Sequence, residues 1–232
     1  MTDKAKKLLA ALHAAANPDD IKMMSKFGIN TDKVIGVRVP GIRKIAKAAA
    51  KGYDHPTALE LWGTDIHEAR ILAGLLADPE EFTPQLVWEW TVDFNSWDIV
   101  DLVTDTFEKI PFINELITEL AADKREFVRR TAFVIIAGHA VHNKKLTAPD
   151  FIAFFPLIEK YSTDDRNFVR KAVNWALRNI GKRNMILRTA ALEFAENLVT
   201  SGNKTACWIA KDAIRELNTD KVIARIQKSK KA

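Results

Sequence analysis

The chain has 232 residues, 47% of them hydrophobic and 28% charged, with a formal net charge of +5. That length holds one domain or two small ones, and the apolar share permits a sizeable core. A single cysteine, Cys207, excludes an internal disulfide and disfavours a structural zinc site, and no stretch reaches the roughly 18 apolar residues of a membrane span.

The first twenty residues, "MTDKAKKLLAALHAAANPDD", carry charges and then a short apolar run. The run lacks the length and cleavage pattern of a signal peptide and predicts an amphipathic helix, so a cytoplasmic protein is the simplest reading. From there apolar residues recur near the 3.6 period in "IRKIAKAAAK" (42–51), "EARILAGLLAD" (68–78), "TPQLVWEWTVDF" (83–94), "SWDIVDLVTDTFEKI" (96–110) and "PFINELITELAA" (111–122). The pattern continues in "EFVRRTAFVIIAGHAVH" (126–142), "DFIAFFPLIEKY" (150–161), "NFVRKAVNWALRNIGKR" (167–183), "RTAALEFAENLVT" (188–200) and "CWIAKDAIREL" (207–217). Breaks fall at Gly28, Pro40, Gly52, Pro56, Pro79, Pro111, Gly181 and Gly202. No alternating strand is apparent. Helices of this length joined by short loops predict antiparallel pairs.

Two stretches are in register. "FVRRTAFVIIAGHA" from Phe127 aligns with "FVRKAVNWALRNIG" from Phe168, and a further forty residues on "WIAKDAIREL" from Trp208 keeps the aromatic and a base at Lys211. A period near 40 with two helices per unit is the signature of HEAT-like repeats. The expected fold is therefore all-α: a single HEAT-like solenoid domain over residues 1–232 with a concave basic face, and a flexible basic tail over 226–232. Arg129, Arg130, Arg170, Lys171 and Lys211 recur on neighbouring second helices as candidates for one basic track. Adjacent helix positions lie about 100° apart, so at least one of the five should brace a neighbouring repeat instead.

Charge is unevenly spread. Residues 54–124 hold sixteen acids against three bases; the part before has eleven bases to four acids, and the part after has twenty-one to ten. Two basic regions flanking an acidic middle suit a polyanion such as nucleic acid, with a solvated surface as the bland alternative. The five histidines are scattered, and no metal cluster, phosphate-binding glycine loop or dinucleotide fingerprint is present, so no metal or cofactor is expected. Cys207, beside Trp208 in a helical pattern, reads as a buried thiol.

One string stands apart from the core pattern. In "SWDIVDLV" (96–103), Trp97 and Asp101 are four residues apart and share a helix face. Asn95 or Ser96 can cap that helix, and Asp98 falls in its first turn, where a carboxylate favours the dipole, so Asp98 is expected to be structural. Asp101 lies a turn deeper and needs a partner, for which Arg130 is available, or a task. Trp175 in "KAVNWALRN" is offset from the core positions Val173, Ala176 and Leu177.

These segments resemble the AlkD-type family of DNA alkylation repair glycosylases over nearly the whole chain. The likeness rests on "GVRVPGIRKIAK" (36–47), "WDIVD" (97–101), "FVRRTAF" (127–133) and "VRKAVNWALR" (169–178). The resemblance implies excision of cationic N3- and N7-alkylpurines from double-stranded DNA by a monomer. It assigns Asp101 as catalytic carboxylate, Trp97 and Trp175 as aromatics at the lesion sugar, and Arg130 as a cleft arginine. The other bases of these segments, Arg129, Arg170, Lys171, Arg178 and Lys211, are candidate DNA contacts. The chain departs from the family where Ser96 and Phe127 stand in place of tryptophans. Relatives on this fold bind DNA structures without excision, so a non-catalytic module for DNA or a protein partner is the alternative.

Overall fold

The computed structural model describes residues 1–49 and 51–229. Among these the chain is helical throughout, with no strand, and no helix is long and apolar enough to cross a membrane. It divides into two compact units, Met1–Asn114 and Glu115–Ala232.

The first unit contains α1 (Asp3–Ala14), α2 (Pro18–Lys26), α3 (Val39–Ala49), α4 (His55–Trp62), α5 (His67–Leu76), a 3₁₀ turn (Pro79–Glu81), α6 (Pro84–Val92) and α7 (Trp97–Phe107). Helix α5 is its centre. Nine of its ten residues are buried, and α3, α4 and α7 pack around it. An aromatic cluster fills the space beside it. Trp62 and Trp90 stack with centroids 4.0 Å apart and planes 3° apart, and Phe82 meets Trp90 edge-on at 5.1 Å. Each such fully buried ring contributes roughly 1.5–3 kcal/mol. Arg70 spans the cluster's rim, with its guanidinium over Trp62 and hydrogen bonds to the Asp93 backbone and carboxylate.

A buried acid fixes the loop before α3. Glu68 is fully buried and accepts hydrogen bonds from the backbone amides of Ile35, Gly36 and Val37. Gly36 has φ +89°, and a Cβ there would stand 2.3 Å from the Asn17 carbonyl oxygen, so no other residue fits. Arg38 then reaches back to Asp20 at 2.7 Å and ties α2 to the start of α3.

Helix α8 (Ile113–Ala122) carries the chain into the second unit, which contains α9 (Glu126–His142), α10 (Ala148–Ile152), α11 (Phe155–Tyr161), α12 (Asn167–Gly181), α13 (Met185–Val199), α14 (Lys204–Leu217) and α15 (Asp220–Ser229). Helices α9, α12 and α14 stack in a row, with α11 and α13 packed on α12. These are the helices that carry the 41- and 40-residue repeat. Buried amides lock the row: Asn179 Nδ2 donates to the Ala137 carbonyl, and Asn174 Nδ2 to the Ile209 carbonyl. The start of α12 is held by α9, since Glu126 accepts from the Phe168 amide at 3.1 Å.

Two expectations change. The helix expected over 150–161 is two helices, because Pro156 lacks an amide and its ring crowds the carbonyl four residues back, at Ile152, where α10 ends. The tail expected over 226–232 begins inside α15, where Val222 and Ile226, four residues apart, are both buried; residues 230–232 lie outside the described residues.

Candidate nucleic-acid interface

Helix α7 sorts its side chains sharply. Ile99, Val100, Val103 and Phe107 are fully buried, whereas Trp97, Asp101 and Asp105 form a half-buried stripe at i, i+4, i+8. Trp97 is fixed in orientation: its indole Nε1 donates to the Phe27 carbonyl at 3.1 Å. Asp101 follows one turn later. Asp105 lies 3.8 Å from Arg43 of α3, both partly exposed.

Asp98 has a different environment. It is 8% exposed, its Oδ1 accepts from the buried Ser96 hydroxyl at 2.6 Å, and its Oδ2 lies 2.9 Å from His67 Nε2 on α5. Burial alone would raise its pKa; the bonds from His67 and Ser96 outweigh burial and hold the carboxyl below the usual range. Asp98 is thus structural, but through a buried pair rather than the helix dipole. Ser96 is the N-cap residue, yet it makes no side-chain bond to the helix amides, because its hydroxyl is turned to Asp98.

The candidate cations of the second unit fall into two groups. Arg129, Arg130 and Arg178 brace the fold. Arg129 donates to the Ala121 carbonyl at 2.8 Å and to Asp164 at 2.6 Å, with its guanidinium over Tyr161. Arg130 is 5% exposed and donates to the Phe168 carbonyl at 2.7 Å, across to α12. Arg178 pairs with Asp212 at 2.9 Å and with Glu216 of α14. Arg170, Lys171 and Lys211 differ. Among the described residues none of the three has a carboxylate partner, and Lys171 and Lys211 are exposed. The bracing role expected of at least one of the five track residues is therefore filled by two, Arg129 and Arg130. The core positions Val173, Ala176 and Leu177 are fully buried, and Trp175 between them stays half-buried. Cys207 is half-buried rather than buried.

Three features escaped the sequence: the Phe27 carbonyl under Trp97, the His67–Asp98 pair, and the placement of Arg170 over Trp208, with its guanidinium carbon 5.0 Å from the ring centroid. The first two join residues 70 and 31 positions apart, which no local pattern signals. The third had a signal in the alignment of Trp208 with Phe127 and Phe168.

Comparison with known proteins adds the following. A family model described as "DNA alkylation repair enzyme" matches residues 8–217. A solved structure described as belonging to "a new family of proteins related to the HEAT-like repeat DNA glycosylases with affinity for branched DNA structures" is similar at 18% identity with a TM-score of 0.74, over 91% of this chain and 94% of that one. This likeness shows a shared HEAT-like helical-repeat fold. A designed armadillo repeat protein aligns at 19% identity and a TM-score of 0.42, over 91% of this chain and all of that one. No curated protein matches.

Proposed function

The chain belongs to the DNA alkylation repair enzyme family, and from that premise we propose that it is a DNA glycosylase that hydrolyses the N-glycosidic bond of N3- and N7-alkylpurines. The observation that carries the reading is the half-buried stripe on α7, where Asp101 stands one turn beyond Trp97, an indole whose orientation is locked by the Phe27 carbonyl.

The chemistry asks little more. An alkylated purine is cationic and departs as a neutral base, taking the electron pair of the glycosidic bond. The sugar develops oxocarbenium character, as in glycoside hydrolysis. Asp101 stabilises that charge and accepts a proton from the water that adds to the sugar carbon, leaving an abasic site. The face of Trp97 attracts the cationic base or sugar. Trp175, half-buried on α12 of the second unit, is an aromatic surface for DNA in its own right. Arg170, Lys171 and Lys211 hold DNA phosphates, while Arg129, Arg130 and Arg178 set the helices that present them. Arg130, bonded to the Phe168 carbonyl, contributes positive potential more than a reaching side chain.

A second reading is DNA-structure binding without excision. The likeness to the protein family described with affinity for branched DNA supports it. Incubating the purified chain with methylated duplex DNA and identifying the released bases separates the two. Free 3-methyladenine or 7-methylguanine supports the glycosylase; tight binding with no released base supports the alternative.

A further inference from the structure

The aromatic register of the second unit ends on a side chain that the proposed reaction does not use. Phe127 and Phe168 occupy matching places in the first turns of α9 and α12, and they cover each other with centroids 5.5 Å apart. Trp208, forty residues after Phe168, has no aromatic neighbour among the described residues. It is 40% exposed, and what lies over its ring is the Arg170 guanidinium at 5.0 Å. An indole left this open forgoes much of the burial that normally makes tryptophan favourable.

Arg170 is equally unusual. Its one hydrogen bond among the described residues is a long one, 3.4 Å to Asn167 Oδ1, and its buried Nε has no partner. Its repeat equivalent, Arg129, is by contrast saturated by Asp164 and the Ala121 carbonyl. Lys211 lies three residues beyond Trp208 on the same face of α14, and Lys171 follows Arg170; both are exposed and neither is in an ion pair among the described residues.

A broad π surface beside three uncompensated cations matches a planar base attached to phosphates. In an intact duplex the faces of the bases are closed by stacking, so the complementary ligand is an unpaired nucleotide. We propose that Trp208, backed by Arg170, stacks an unpaired base of a DNA strand whose phosphates Lys171 and Lys211 hold. This rests on the DNA-binding part of the proposed function and is independent of excision. An apolar peptide would fill the indole surface but leave the three cations unanswered.

The test measures affinity of the full chain, at one fixed salt concentration, for three DNAs of equal length: a fully paired duplex, a duplex with a single-stranded extension, and the same with abasic sugars in the extension. Wild type is expected to prefer the extension that carries bases. Trp208→Ala should weaken binding to that DNA by on the order of 10-fold, the scale of one base–aromatic stack, and change binding to the paired duplex by less than about twofold. Trp208→Phe should recover most of the preference. Ile186→Ala, which removes the more exposed apolar side chain on α13 (67% exposed), should do nothing. Thermal melts establish that the variants are folded. Equal loss on all three DNAs, no loss on any, or a preference that survives abasic sugars overturns the stacking proposal while leaving DNA binding intact. Failure of wild type to bind any of the three overturns both.

Discussion

Replacing Asp98 should destabilise the first unit far more than replacing an exposed acid in a helix's first turn. In Asp98→Ala, the Ser96 hydroxyl and His67 Nε2 lose their shared partner at a position 8% exposed. Leaving two buried polar groups unbonded costs roughly 1–3 kcal/mol each, so a loss of about 3 kcal/mol is expected. Asp98→Asn is milder. Its carboxamide can serve both partners, the oxygen accepting from His67 Nε2–H and the NH₂ donating to the Ser96 hydroxyl oxygen, so what it loses is the negative charge. Loss of charge assistance comes to about 1 kcal/mol. The pH dependence has a definite sign. The folded carboxyl lies below its ordinary value, so its stabilisation is full above about pH 4 and is lost as pH falls through the folded pKa. Wild type and Asp98→Asn should therefore converge in acid. Urea unfolding at neutral pH gives the free-energy difference. A loss of no more than about 0.5 kcal/mol for Asp98→Ala, the scale of a helix-dipole charge, would refute the buried-pair account.

The two classes of cation should separate cleanly. Arg129→Ala should lower stability by about 1–2 kcal/mol, since it leaves the Ala121 carbonyl without its donor and Asp164, whose side chain is 8% exposed, with Arg166 as its one remaining guanidinium; chemical denaturation checks this. Lys171→Ala and Lys211→Ala should leave the melting temperature within a degree or two. Each should reduce the slope of log affinity for duplex DNA against log salt by about 1, read from a salt titration. His139 is 1% exposed, and burial pushes its pKa down to about 4. The unfolded chain therefore binds its proton first, and stability is lost as pH falls from about 6.5 toward 4, by about 3 kcal/mol. Unfolding across that window, with His139→Gln losing most of the slope, is the check.

The helices were legible where apolar spacing decides them. Helix α9 runs from Glu126 to His142, the bounds its periodicity predicts, because eleven of its seventeen residues are buried. Helix α2 was not legible, since Asp20 is its one buried residue and its apolar content is low. The break between α10 and α11 could have been read from Pro156, but the apolar run over "DFIAFFPLI" masks it. On α7 the sequence marks Asp98 as structural, which its buried pair bears out, yet for the wrong reason. The dipole argument uses neighbours in sequence, whereas the residue that holds Asp98 is His67 on another helix. The basic track shows the same limit. Five cations recur at matching positions, but the acid that retires Arg129 is Asp164, 35 residues away. Identical motif positions thus acquire opposite roles in Arg129 and Arg170 through partners that the repeat does not specify.

In the proposed reaction Asp101 acts on the sugar as the glycosidic bond breaks. Asp101→Asn keeps the size and hydrogen-bonding capacity of the side chain and removes its charge, so the transition state loses more than the bound ground state. Single-turnover release of 7-methylguanine or 3-methyladenine from duplex DNA, at saturating protein and below the melting temperature of both proteins, reads that difference. The expected rate is lower by on the order of 10- to 1000-fold, with DNA affinity unchanged or slightly tighter. An Asp101→Asn protein that melts earlier yet excises at the wild-type rate would contradict this role.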